Sequence, residues 1–189
     1  MPGLPLTGGC MCGALRYEVR TAPFMIYNCH CTNCQKISGS AFNVSVTIAE
    51  TALVFTAGGP ARVEWTSDAG TTRFGMFCGA CGSRITNGMV PSSGVLSLRG
   101  GTLDDTSWVE PVGDIWVKSK QPWVTIPDGR IQTERGSAMP LYFLDDYLTW
   151  VVKHGGAYDK KKDFRQPDYL AFVDTLTGEV RSSLMTTPC

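Results

Sequence analysis

Seven of the eight cysteines in this 189-residue chain fall in three short clusters, Cys10/Cys12, Cys29/Cys31/Cys34 and Cys78/Cys81. No other feature limits the possible folds as strongly. The clusters read Cys10-Met11-Cys12-Gly13, Cys29-His30-Cys31-Thr32-Asn33-Cys34 and Cys78-Gly79-Ala80-Cys81-Gly82. A Cys-x-x-Cys turn aims two sulfurs at one point, and zinc accepts four thiolates tetrahedrally. Gly13, Gly79 and Gly82 lie beside the ligands, where such knuckles often need positive φ. The first residues, Met1-Pro2-Gly3-Leu4-Pro5-Leu6, lack the basic start and long apolar core of a secretory signal, and no run of apolar residues is long enough to span a membrane. A cytoplasmic location is therefore expected. Thiols stay reduced there, which favours metal binding over disulfides.

Seven ligands do not divide into two closed four-thiolate sites. The simplest partition joins Cys10, Cys12, Cys78 and Cys81 into one closed tetrahedron, a structural zinc whose binding energy belongs to folding. Cys29, Cys31 and Cys34 then surround a second metal from one side. Three protein ligands leave a position for water or substrate, as catalytic zinc sites do, unless His30 or a distant side chain closes it. The expected complement is two zinc ions per chain. Because His30 sits between two proposed ligands, its ring is expected to point away from their metal and to pack or support. His154 lies at a predicted helix end, where an imidazolium suits the negative pole of the helix. Cys189 reads as a surface thiol, and Lys160-Lys161-Lys162, flanked by Asp159 and Asp163, as a solvated loop.

Most of the first 120 residues read as short strands separated by glycine-rich turns. Leu15, Tyr17 and Val19 alternate with Arg16, Glu18 and Arg20, and Phe42, Val44, Val46 and Ile48 repeat the pattern over 41–48. Further strands are expected over 24–28, 52–56, 62–66, 72–77, 94–98 and 114–118. A helical turn is expected over 31–38. Many short strands with frequent turns predict a mainly β fold of antiparallel sheets, a sandwich or barrel. Residues 6–136 are expected to form this zinc-binding β domain. Residues 137–189 are expected to pack on it as a C-terminal extension, with a helix over 141–154 and a hairpin over 169–183. Lys plus Arg and Asp plus Glu are balanced at 17 each, so the surplus of positive charge that nucleic-acid binding usually needs is missing.

The residues also carry a resemblance. Gly9-Cys10-Met11-Cys12-Gly13 leading into Leu15-Arg16-Tyr17, then Cys29-His30-Cys31-x-x-Cys34-Gln35-Lys36, then Phe77-Cys78-x-x-Cys81-Gly82-Ser83 together resemble the glutathione-dependent formaldehyde-activating enzyme family, to which centromere protein V also belongs. Asp114–Lys120 with Trp123 is similar to that family's closing segment, so the likeness runs over about residues 6–125. The resemblance implies a β-tent of antiparallel sheets, structural zinc on Cys10, Cys12, Cys78 and Cys81, and catalytic zinc on Cys29, Cys31 and Cys34. It further implies a carbon–sulfur lyase that joins glutathione and formaldehyde into S-hydroxymethylglutathione.

An open three-thiolate zinc suits such chemistry, because coordination deprotonates an incoming thiol and leaves its sulfur ready to attack an aldehyde carbon. The expected partner is a small-molecule thiol such as glutathione, with no nucleic acid and no membrane. Two other classes remain: a non-catalytic zinc-scaffolded binding module, and a metal-free redox protein using Cys31-x-x-Cys34. The second normally opens a helix beside a parallel sheet, and the β-rich pattern here argues against it.

Overall fold

The computed structural model describes residues 2–67 and 70–136. The expected helix over 141–154, the hairpin over 169–183, the rest of the extension, His154, Lys160–Lys162 and Cys189 lie outside the described residues. In chain order the strands are β1 (Leu6–Gly9), β2 (Arg16–Val19), β3 (Met25–Cys29), β4 (Asn43–Ala49), β5 (Leu53–Ala57), β6 (Ala61–Thr66), β7 (Thr72–Phe77), β8 (Arg84–Val90), β9 (Val95–Arg99), β10 (Gly113–Ile115) and β11 (Ile131–Thr133). Among the described residues one α-helix, α1 (Thr32–Ser38), follows the middle cysteines. None of the helices found there is long and apolar enough to cross a membrane.

Two sheets carry the fold. The small one runs β1-β2-β5 and the large one β11-β10-β3-β4-β9-β8-β7-β6. The mainly β expectation holds, with one correction. The large sheet is mixed, because β10 lies parallel to both β3 and β11. A parallel neighbour requires a long crossover, and the stretch between β9 and β10 supplies it.

Alternation along the strands sets the layers. On one face of the large sheet Ile26, Val46, Ile48, Leu96, Leu98 and Phe74 are buried, and register pairs such as Ile26↔Val46 and Val46↔Leu98 hold them on that side. Leu6, Tyr17 and Val19 form the matching face of the small sheet. The two faces share one core. Close approach marks its edge: a Cβ on Gly8 would stand 2.3 Å from the Tyr17 hydroxyl oxygen, which hydrogen-bonds to Thr102 Oγ1 at 2.8 Å.

Three strands escape the sequence pattern. β1 and β11 are short, and β8 (Arg-Ile-Thr-Asn-Gly-Met-Val) mixes polar and apolar residues because it lies between two neighbours inside the sheet. The strand expected over 114–118 stops at Ile115. Trp116 takes φ 59, and Val117–Ser119 turns as a 3-10 helix. Leu98 is fully buried at the centre of the large sheet, so Leu98→Ala should lower the urea-unfolding free energy by about 2–5 kcal/mol. Val63→Ala, on the exposed side of β6, should change it by no more than about 0.5 kcal/mol.

Candidate metal centre

Two matching knuckles build the first cysteine group. After β1 the Cys10 N–H donates to Leu15 O at 2.9 Å and the Gly13 N–H to Cys10 O at 3.1 Å; between β7 and β8 the Cys78 N–H donates to Ser83 O at 2.9 Å and the Gly82 N–H to Cys78 O at 2.8 Å. Gly13 and Gly82 hold φ 78 and 76, which an L side chain rarely adopts. Gly79, expected to share that role, is not in the left-handed region. The knuckles bring the Cys10, Cys12, Cys78 and Cys81 sulfurs within 4.8 Å of one another. Cys10–Cys12 and Cys12–Cys78 sulfur separations are 3.5 and 3.8 Å. Those gaps are far longer than a disulfide bond, and none of the seven described cysteines forms one. They approach the edge of a tetrahedron of thiolates around zinc, ~3.8 Å for a Zn–S bond of ~2.3 Å. The donor set and its spacing therefore fit zinc.

Without a cation these sulfurs cannot all be charged together. The Ser83 hydroxyl, then the Ser83 and Cys12 N–H groups, bring Cys81 down to about 5. The Ala14 N–H favours the Cys12 thiolate, but contacts with Cys10 and Cys81 outweigh it and push Cys12 up to about 11. Burial opposes ionisation of Cys10, yet the Leu15 N–H and the Cys12 and Cys78 sulfurs draw it below the usual thiol value. A metal entering this group displaces the remaining protons.

The second group gathers Cys29, Cys31 and Cys34, again with sulfurs within 4.8 Å. Cys29 ends β3, and Cys31 caps α1 by accepting the Cys34 N–H at 3.3 Å. Contact with Cys29 favours the Cys34 thiolate, but contact with Cys31 and burial push Cys34 up to about 11. No fourth His, Cys or carboxylate joins this group among the described residues.

His30 continues the alternation of β3 and so turns to the opposite side from its two neighbours. It is fully buried and its Nε2 donates to Asp114 Oδ1 at 2.8 Å. The parallel pairing of β10 with β3 places Asp114 beside Asn28, whose Nδ2 donates to the same oxygen at 3.0 Å. Arg130 Nη1 lies 3.4 Å from Asp114 Oδ2. Burial opposes ionisation of Asp114, yet His30, Asn28 and the Arg130 charge together hold it below the usual carboxylate range. The loop is also gripped through its backbone: Gln35 Nε2 donates to His30 O at 2.7 Å and to Ser119 O at 2.8 Å, and Ser119 Oγ to His30 O at 3.0 Å. The left-handed Trp116 turns the chain so that Ser119 reaches this point, a strained backbone for a large side chain.

All seven expected ligands are thus brought together in the two groups, and His30 is directed away from the sulfurs as its position implied. The sequence reading did not identify the supporting roles of Asp114 and Gln35, although both stand in the stretches that carried the resemblance. A carboxyl with a lowered folded pKa stabilises the fold above its unfolded pKa, and that contribution is lost as pH falls through the folded value. Asp114→Asn should therefore cost about 1–3 kcal/mol at pH 7 and flatten the acid limb of the stability profile. Urea unfolding at neutral and acidic pH checks both outcomes.

The pattern of the glutathione-dependent formaldehyde-activating enzyme family matches residues 5–119, a span holding both sulfur groups and Asp114. Among solved structures, a Rhodobacter sphaeroides protein is 16% identical, covering 68% of this chain and 99% of its own, with a TM-score of 0.44. Comparison with curated proteins gives no match. Because the family pattern spans more than half of the chain, this protein belongs to the glutathione-dependent formaldehyde-activating enzyme family.

Proposed function

We propose that this protein is a zinc-dependent carbon–sulfur lyase that joins glutathione, or a related small thiol, to formaldehyde or a related aldehyde, and runs the same step in reverse. The observation that carries this reading is the asymmetry of the two groups, four convergent sulfurs against three. In it Cys10, Cys12, Cys78 and Cys81 hold a structural zinc, and Cys29, Cys31 and Cys34 a catalytic one. A zinc ion at the three-cysteine group supplies a position that keeps an incoming thiol deprotonated at neutral pH.

The chain's own residues do the rest. Cys29, Cys31 and Cys34 would hold the ion through three sulfurs and leave a further position for substrate. His30, Asp114 and Gln35 fix the loop that carries them, so the sulfurs need not reorganise when substrate arrives. The thiol loses its proton, its sulfur forms the bond to the carbonyl carbon, and the π pair moves to oxygen, which takes up a proton. Thiol and aldehyde atoms are all retained in the hydroxymethyl thioether. Seven cysteines gathered in two metal-type groups, with no disulfide among the described residues, suit a reducing compartment, and we assign the protein to the cytoplasm.

Metal analysis should return two zinc ions per chain for the wild type and one for Cys31→Ser, with the thiol-adduct rate of that variant falling to the uncatalysed background. Cys78→Ser should lose its cooperative thermal transition, while Cys31→Ser keeps it. Two zinc ions with no rate above background would leave a zinc-scaffolded binding module in place of an enzyme.

A further inference from the structure

Arg99, at the end of β9, is only 6% exposed, yet its Nε, Nη1 and Nη2 are all buried without a hydrogen bond. It takes part in none of the ion pairs among the described residues. A guanidinium carries five N–H donors and cannot give up its charge. Buried groups of this kind are normally paired, so an orphan asks for a missing partner.

The strand registers show where that partner would sit. Arg99 lies opposite Ser45, and Cys29 lies opposite Asn43, two residues along the same strand. Alternation therefore puts Arg99 and Cys29 on one face, about 12 Å apart between Cα atoms. Polar side chains floor that face: Asn43 Nδ2 donates to Ser45 Oγ at 2.7 Å and Ser97 Oγ to Ser45 Oγ at 2.9 Å. Ser97 is opposite Asn87, which accepts from Arg84 Nη1 at 3.2 Å. Arg84 reaches over Gly75 with Nη1 foremost, where a Cβ would stand 1.5 Å from that atom. No side chain but hydrogen leaves room for the guanidinium there.

Arg84 and Arg99 are near enough to feel each other. Burial and then the Arg99 charge lower the Arg84 pKa, and no described ion pair contains either residue. The buried donors of Arg99 are left unmet. A planar carboxylate with two acceptor oxygens meets them in the geometry a guanidinium favours.

We propose that Arg99, with Arg84 and Asn87 beside it, binds the carboxylate of a thiol substrate whose sulfur is held at the three-cysteine group. The proposal rests on the thiol reading of that group and narrows it to small thiols that carry a carboxylate.

The test uses the full chain loaded with cobalt(II), whose visible bands report a thiol joining the three-cysteine group. It is titrated with 3-mercaptopropionate and with the uncharged 3-mercaptopropionamide. The wild type should bind the acid about tenfold tighter than the amide, or more. In Arg99→Gln the acid should fall to the affinity of the amide while the amide is unchanged, and Arg99→Lys should keep part of the preference. Equal binding of both thiols by the wild type overturns the carboxylate site and needs no folded variant. A preference that survives in Arg99→Gln overturns the assignment to Arg99. If neither thiol moves the bands, the thiol reading falls, and this proposal with it.

Discussion

The fold hangs on a clasp of four sulfurs. One pair sits in the connection that joins β1 to β2 in the small sheet, the other in the turn that joins β7 to β8 in the large one. Hydrophobic burial brings the two sheets face to face but is not directional. It would tolerate a range of offsets. The sulfur group is selective, because four donors satisfy one ion only when both knuckles are formed and correctly placed. In zinc-finger peptides such a set is worth about 10–16 kcal/mol of apparent binding energy at neutral pH, as large as the net stability of many whole domains. On the proposed reading, an ion held by these four sulfurs fixes which offset the core adopts, while alternation sets which side chains of the large sheet lie on its far face.

That far face is where the second sulfur group lies, and different forces hold it. Its support comes from a strand inserted against the prevailing direction. β10 enters parallel to β3 and delivers Asp114 to a histidine with no exposure to solvent. A carboxylate so placed is tolerable because three neighbours, His30, Asn28 and Arg130, share its charge. Beyond Asp114 the chain bends through Trp116 and fastens the His30 carbonyl by way of Ser119 and Gln35. The three-cysteine loop is thus fixed from beneath by the buried His30–Asp114 hydrogen bond and from the side by hydrogen bonds to its backbone. Its sulfurs are left to the opposite face.

The parts of this arrangement legible in the amino-acid order were those with short-range signatures. Cysteine spacing predicted the two groups, and alternation in 14–20 and 41–48 found β2 and β4. Glycines predicted two left-handed knuckle positions correctly, while Gly79 shows that a glycine near a ligand need not use that freedom. What stayed hidden depends on pairings between distant segments. Nothing local to Arg99 distinguishes it from a surface arginine; its isolation follows from β4 on one side and β8 on the other. The parallel placement of β10 was invisible for the same reason, since a three-residue strand carries no mark of its direction. β8 was missed because a strand inside a sheet, with a polar side chain on each face, loses the alternation that exposes an outer one.

The alternation that separates His30 from Cys29 and Cys31 has an evolutionary corollary. Side chains on a strand repeat every two residues, so an insertion or deletion of one residue in β3 exchanges the two sides. Such a change would turn the imidazole toward the thiols and drive a cysteine against Asp114, spoiling the site and the core together. Drift in this segment is thereby confined to substitutions or to changes of two residues at once. The Cys-His-Cys triplet can exchange neighbours, but it cannot slide by a single residue.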